Sequence, residues 1–191
     1  MRDFVDPPWD APLDVALELR RIPESGRQKG MFLQALQAEA QRRGATLPSA
    51  RERYVPFQGY PLREHAQLLV EAAQAFYADV PLRIGLRRLG RGAVSALLES
   101  TVGKVVWSSA TDPHAALEAM TKAYQISMPG CAASIESRYA RSAVVRVSGI
   151  PFFLDCHHVG CFEGAMRAMG LEGSVQLRLE SFSSGELLCA W

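Results

Sequence analysis

Residues 131–151, CAASIESRYARSAVVRVSGIP, mark the point where the chain changes its period. Upstream, apolar residues recur every three or four positions; here they alternate, β-branched residues accumulate, and Arg141-Ser142 lies between two short runs. That pattern predicts an antiparallel hairpin. The C-terminal stretch VQLRLESFSSGELLCAW, residues 175–191, repeats it: Val175, Leu177 and Leu179 fall on one face of a strand, Gln176, Arg178 and Glu180 on the other, and a turn at SSGE leads to a last strand. Between the hairpins lies room for one helix. The expected class is α+β, with an N-terminal helical layer packed on a roughly four-stranded antiparallel sheet.

The residues before the hairpin read as helices. LDVALELRR (13–21) is a short one, and ESGRQKGMFLQALQAEAQRRG (24–44) a second, with Gly44 at its C-terminus. In YPLREHAQLLVEAAQAFYADVP (60–81) the spacing of Leu62, Leu69, Ala72, Ala73 and Phe76 predicts a third, started by Pro61 and ended by Pro81. From Pro81 to Ser109, Leu82, Leu86, Leu89, Ala93 and Leu97 form one buried stripe along a long helix. Gly85, Gly90 and Gly92 interrupt it. Each glycine costs about 1 kcal/mol against alanine, so close backbone packing or a kink is expected there. Asp112 or Thr111 caps a further helix through Pro113. Residues 1–12, with Pro7, Pro8 and Pro12, form an irregular arm lying across the domain through Phe4 and Trp9. The organisation is a single domain over 1–191, with the arm at 1–12, a mainly helical part at 13–128 and a strand-strand-helix-strand-strand module at 129–191.

The 191 residues include 21 Lys and Arg against 20 Asp and Glu, and the net charge of +1 gives no electrostatic reason for nucleic-acid binding. The N-terminus lacks the basic and apolar regions of a signal peptide, and no apolar run approaches the roughly 20 residues that cross a bilayer. A cytoplasmic protein without membrane insertion is expected. The four cysteines, Cys131, Cys156, Cys161 and Cys189, are then expected as reduced thiols.

Four segments, FQGYPLREHAQLL (57–69), LRRLGRG (86–92), STVGKVV (100–106) and HVGCFEGAMRAMG (158–170), together resemble an uncharacterised family of roughly 200-residue proteins expanded as paralogues in myxobacteria. The resemblance runs from about Gly30 to Trp191. The C-terminal module is more distantly similar to 4-vinyl-reductase-type ligand-binding domains and to TRAPP subunits, and haem-based nitric-oxide sensor domains share a related architecture. What this resemblance implies is a small-molecule or lipid-binding module or an assembly subunit, rather than an enzyme.

FLDCHHVGCFEGAMRAMG, residues 153–170, concentrates the chemistry-bearing side chains. On a helix, His157 and Cys161 share a face, as do Asp155 and His158, while Cys156 points away from Cys161. Only two metal ligands converge, where structural zinc wants four, and there is no CxxC or HxxxH pair. No metal or cofactor is expected. Val159, Phe162, Met166 and Met169 form a core stripe, Gly160 and Gly164 allow another backbone to approach, and Asp155 is a candidate N-cap. Arg83, Arg87 and Arg91 share one face of the long helix. They suit contact with an anion or an acidic partner, although such a row is more often a solvated face. No G-x-S-x-G elbow or phosphate loop occurs.

The expected function is a non-enzymatic, regulatory or sensor-like module for a small apolar or lipid-like ligand or a protein partner. Its pocket is expected between helices and sheet, lined by Phe76, Leu86, Leu97, Phe152, Phe162 and Met166. The alternatives are a ligand-free assembly subunit that self-associates, as in a homodimer, and an enzyme using Asp155 and His158 as an acid–base pair.

Overall fold

The computed structural model describes residues 3–191, Thr101 and Val102 by their backbone only. Its elements run α1 (Val15–Arg21), β1 (Arg27–Lys29), α2 (Gly30–Arg42), β2 (Gly59–Pro61), α3 (Leu62–Phe76), α4 (Leu82–Glu99), α5 (Thr101–Trp107), α6 (Pro113–Ser127), β3 (Ala132–Tyr139), β4 (Ser142–Ser148), a π-helical turn (Leu154–His158), α7 (Val159–Ala168), β5 (Ser174–Leu179) and β6 (Gly185–Ala190). The fold is α+β. Two hairpins join in one antiparallel sheet of order β3-β4-β6-β5, because β6 pairs with both β4 and β5. Ala143, Val145 and Val147 on β4, Leu187 and Cys189 on β6, and Val175 and Leu177 on β5 are buried, which is the alternation of a sheet covered on one side. On the opposite side Arg146, Glu186 and Arg178 stand in register across three strands, and Glu186 pairs with both arginines.

Three expectations about the helices are corrected. The segment from Glu24 does not begin as a helix: Arg27–Lys29 pairs with Gly59–Pro61, and α2 starts only at Gly30. The cause is tertiary. The chain at residues 55–58 crosses here, with Gly30 N–H donating to the Gln58 carbonyl and Met31 N–H to that of Pro56, both at 2.9 Å. The long helix is broken at Ser100, whose ψ of 156° ends α4 and whose hydroxyl caps α5 by accepting from Gly103 N–H at 2.9 Å. Finally, the helix at 153 opens with Phe153 in the left-handed region (φ 46°) followed by a π-turn, so Asp155 is not an N-cap. Glu18 of α1 accepts the Phe153 N–H at 3.1 Å and anchors this turn.

The arm lies across the domain. Val5 exchanges two hydrogen bonds of 2.8 Å with Leu177, Phe4 is covered by the guanidinium of Arg178, and Trp9 by that of Arg87, 4.0 Å from its ring centre. Met1 and Arg2 of the expected arm lie outside the described residues.

Helix α7 is the centre of the molecule. It is buried from Val159 to Met166, with α4 on one side and the sheet and α6 around the rest. Such complete burial is the mark of a core helix, not of an amphipathic surface one. α4 and α7 touch backbone to backbone: a Cβ on Gly90 would overlap the carbonyl oxygen of His157, and one on Gly160 that of Arg87. Gly92, two residues along α4, faces open space. Gly90→Ala is therefore expected to lower the melting temperature clearly, by forcing the two helices apart at a cost of about 1–3 kcal/mol. Gly92→Ala should be neutral or stabilise by up to about 1 kcal/mol through helix propensity. Thermal unfolding of the two variants in parallel checks this, and equal loss in both would remove the packing explanation.

Candidate functional site

The α4–α7 crossing decides where the charged side chains go. Arg83, Arg87 and Arg91 do share a face of α4, but that face meets the π-turn and α7. Arg83 pairs with Asp155 at 2.5 Å and donates to the Ala11 carbonyl of the arm at 3.0 Å. Arg87 forms a two-pronged pair with Glu163, and Arg91 reaches the same carboxylate at 2.9 Å. Glu163 is only 3% exposed. The expectation of a solvated arginine row is thus corrected: two guanidiniums converge on one buried carboxylate, and the third holds Asp155. Asp155 is committed to Arg83 and His158 to Tyr124, and no hydrogen bond joins Asp155 to His158 among the described residues.

The π-turn delivers both histidines of CHHVGC to the interior. An extra residue in the turn shifts the phase of the chain relative to the α-helix that follows. His157 donates from Nδ1 to the Leu86 carbonyl at 3.3 Å; since a carbonyl can only accept, Nε2 is left as the acceptor for the Cys161 thiol at 3.7 Å. His158 shares a 2.7 Å hydrogen bond through Nδ1 with the hydroxyl of Tyr124, whose ring stacks on Phe162. A third histidine joins them. His65, on α3, has its ring centre 6.5 Å from His157 and 6.1 Å from Phe152. Its Nδ1, like the Nε2 of His158, is buried without a hydrogen-bond partner among the described residues.

Burial governs the titration of this cluster. It holds the pKa of His65 down to about 3 and that of His157 to about 4, each favouring the neutral ring, and it pushes His158 well below the usual histidine range. The same burial raises Cys161 to about 12 and Cys131 to about 11, so these thiols stay protonated at neutral pH. Among the described residues no group of three His, Cys, Asp or Glu side chains could hold a metal ion. All four cysteines are free.

These histidines form part of the wall of a cavity of ≈ 810 Å³. It lies between α2, α3, α4 and α6, with Phe152 and the π-turn at one side. Its wall is mostly apolar, built from residues such as Met31, Leu69, Leu89, Met120 and Met128, and it includes His65, His157, His158, Tyr124 and Cys161. Gln28 also lines it, with a buried Oε1 that has no partner. Of the residues predicted to line a pocket, Phe76, Leu97 and Phe152 are in this wall, whereas Leu86, Phe162 and Met166 are fully buried core residues outside it. The cavity is displaced toward the helices because α7 fills the space against the sheet. His65 is the residue that pattern reading passes over. It stands three residues after Leu62 and four before Leu69, inside the apolar stripe of α3, and a histidine there reads as core until its missing partner is seen.

Two measurements test this geometry. Arg87→Ala should destabilise the fold by about 3 kcal/mol in denaturant unfolding, because the buried Glu163 carboxylate loses its two-pronged partner; Glu163→Gln, which removes the charge, should cost less. The depressed histidine pKa values also set a pH dependence. The unfolded chain takes up protons near pH 6.5 and the folded one near 4 or below, so stability is complete above about pH 6.5 and falls on acidification toward pH 4, at up to about 1.4 kcal/mol per pH unit for each histidine. His65→Leu should flatten the slope by one histidine.

The fold has solved counterparts. The chain is similar to the Fe(II) unliganded H-NOX protein of K. algicida, with TM-score 0.61, 15% identity, and 85% of this chain and 95% of that one covered. It is similar also to the H-NOX domain of Shewanella oneidensis in its Fe(II)CO state, with TM-score 0.60, 16% identity and coverages of 85% and 97%. A structure from work on heme distortion in the H-NOX family gives TM-score 0.65 at 12% identity, with coverages of 85% and 94%. At these identities the likeness is one of fold. No curated protein sequence matches the chain. Residues 24–191 match the model of the family described as "Protein of unknown function (DUF2378)", and the chain belongs to that family.

Proposed function

We propose that the protein is a non-enzymatic, sensor-like regulatory module that holds a small, largely apolar ligand in the cavity between α2, α3, α4 and α6. The observation that carries this reading is an apolar cavity of ≈ 810 Å³ with the unbonded imidazole of His65 in its wall. Cavities of roughly 300–1,000 Å³ with few polar groups are typical of sites for small organic molecules. A buried polar atom without a partner costs about 1–3 kcal/mol, and a bound molecule can supply the partner. The fold shared with H-NOX proteins supports the sensor-like reading. The protonated thiols, and Asp155 and His158 engaged elsewhere, speak for binding over catalysis.

H-NOX structures include iron-bound states and a study of heme, so haem is the cofactor to weigh. The residues present fit it. His65 offers a neutral, unbonded imidazole of the kind that holds haem iron, the apolar walls suit the macrocycle, and arginines among the lining residues suit its carboxylates. Such a group would supply an iron centre for a small gaseous ligand. This chain's part would be to bind it, orient it through His65 and keep water out.

A ligand-free assembly subunit is the competing reading. The exposed large apolar residues, among them Val5, Phe57, Val105, Tyr139 and Phe182, belong to separate segments and not to one helix, which favours the ligand-bearing module.

Native mass spectrometry of protein purified without added ligand should find a retained small molecule. Ala93→Trp, which projects an indole into the cavity wall of α4, should lose it while circular dichroism and elution volume stay unchanged. A wild-type protein that retains nothing and does not enhance the fluorescence of an apolar dye would refute the proposal.

A further inference from the structure

The cavity opens along two facing helices, its exposed lining residues running from Gln34 to Arg43 at α2 and from Arg88 to Glu99 on α4, and the cations of this rim, Arg42, Arg43 and Arg88, gather at one end of it. Arg88 differs from the other α4 arginines. It stands about 100° round the helix from Arg87, on the side away from α7. Its guanidinium lies 5.2 Å from the ring centre of Tyr77, and among the described residues it makes no ion pair. Arg43 reaches the same ring from the other helix, at 5.4 Å. One aromatic ring therefore holds two cations at the cavity mouth.

The nearby acids do not balance them. Glu39 is shared between Arg42 and Arg43, one negative charge for two positive ones. The other lining carboxylate, Glu99, is eleven residues beyond Arg88 on α4, about 16 Å along the axis, and salt screens exposed charges beyond about 8 Å. Inside, the wall has no charged side chain: its titratable groups are neutral histidines, a phenol and a protonated thiol. A charge on the ligand's inner end would be buried unpaired, at prohibitive cost, whereas a negative charge at the mouth meets guanidiniums held ready by an aromatic face.

We infer that the ligand is an amphipathic carboxylate, with its apolar body in the cavity and its carboxylate bound at the mouth by Arg88 and Arg43. This rests on the ligand-binding reading above and adds the ligand's chemical class. Two kinds of molecule carry that chemistry, a medium- or long-chain fatty acid and a carboxylated tetrapyrrole.

Titration of the purified protein at pH 7.5 with dodecanoate, dodecanol and haemin separates the cases. The acid is expected to bind at least tenfold tighter than the alcohol. Arg88→Ala, with unchanged melting, should weaken dodecanoate or haemin about tenfold and leave dodecanol unaffected. His65→Leu distinguishes the sources: it should shift the Soret band of bound haemin if the tetrapyrrole is the ligand, whereas a Soret band identical in wild type and variant, with dodecanoate bound tightly, identifies the fatty acid. If dodecanoate and dodecanol bind equally, or Arg88→Ala changes neither acid, the inference fails while the ligand-binding reading stands. If none of the three probes binds and no retained molecule is found by mass spectrometry, both fail.

Discussion

The contact between α4 and α7 is the constraint on which the molecule is built. Gly90 and Gly160 each face a carbonyl oxygen of the other segment, so the helices meet at backbone distance where ordinary side chains would hold them apart. Close approach of this kind removes space for side chains along the seam and pushes every larger group to its edges. Arg83, Arg87 and Arg91 flank the crossing and find Asp155 and Glu163 across it. Their alternative, two buried charges without partners, would cost several kcal/mol each. The clamp is thus better understood as a condition for the crossing than as an independent source of stability.

The same crossing positions the histidines. With α7 pressed between α4 and the sheet, the chain entering it must turn sharply, and it does so through a left-handed Phe153 and a π-turn. Both features cost backbone energy, of order 1–3 kcal/mol for the left-handed residue, and survive because their surroundings fix them. Their result is a cluster in which both nitrogens of His157 are engaged, by Leu86 and Cys161, and His158 is held through Nδ1 by Tyr124, while the Nε2 of His158 and the Nδ1 of His65, arriving on α3, have no partner among the described residues. The contrast with His157 is informative: a satisfied buried imidazole is part of the framework, whereas unpartnered ring nitrogens in a cavity wall are available to something else.

The cavity follows from what α7 occupies. Since the central helix fills the region above the sheet, the remaining space lies on the far side of α4, under α2 and α3, with apolar walls and an opening between α2 and α4. Its division into an uncharged interior and a mouth that is cationic at one end is a consequence of two faces of α4: one face meets Asp155 of the π-turn and Glu163 of α7, and Arg88 is left for the cleft. The shared fold of H-NOX proteins shows that this arrangement of helices and sheet is an established architecture, while the low identity leaves the chemistry of the cavity to this chain's own residues.

Much of the fold could be read from the amino-acid pattern, because it depends on local periodicity. The alternation in VQLRLE, the β-branched run SAVVRVS and the cap Asp112-Pro113 act over a few residues and define strands and a helix start without outside help. Gly90, Gly160 and Gly164 announced a close approach for the same reason, that a glycine is costly in a helix unless something needs the space, although Gly92 beside them faces open space. The partners of these elements were beyond reach. Whether Arg87 faces water or Glu163, 76 positions away, is decided by which helix lies opposite, and the row Arg83, Arg87, Arg91 looks the same in either case. The strand at Arg27–Lys29 exists only because residues 59–61 lie beside it. His65 and the cavity belong to this second group: a histidine in an apolar stripe is ordinary, and only the packing of four helices around it leaves its ring without a partner.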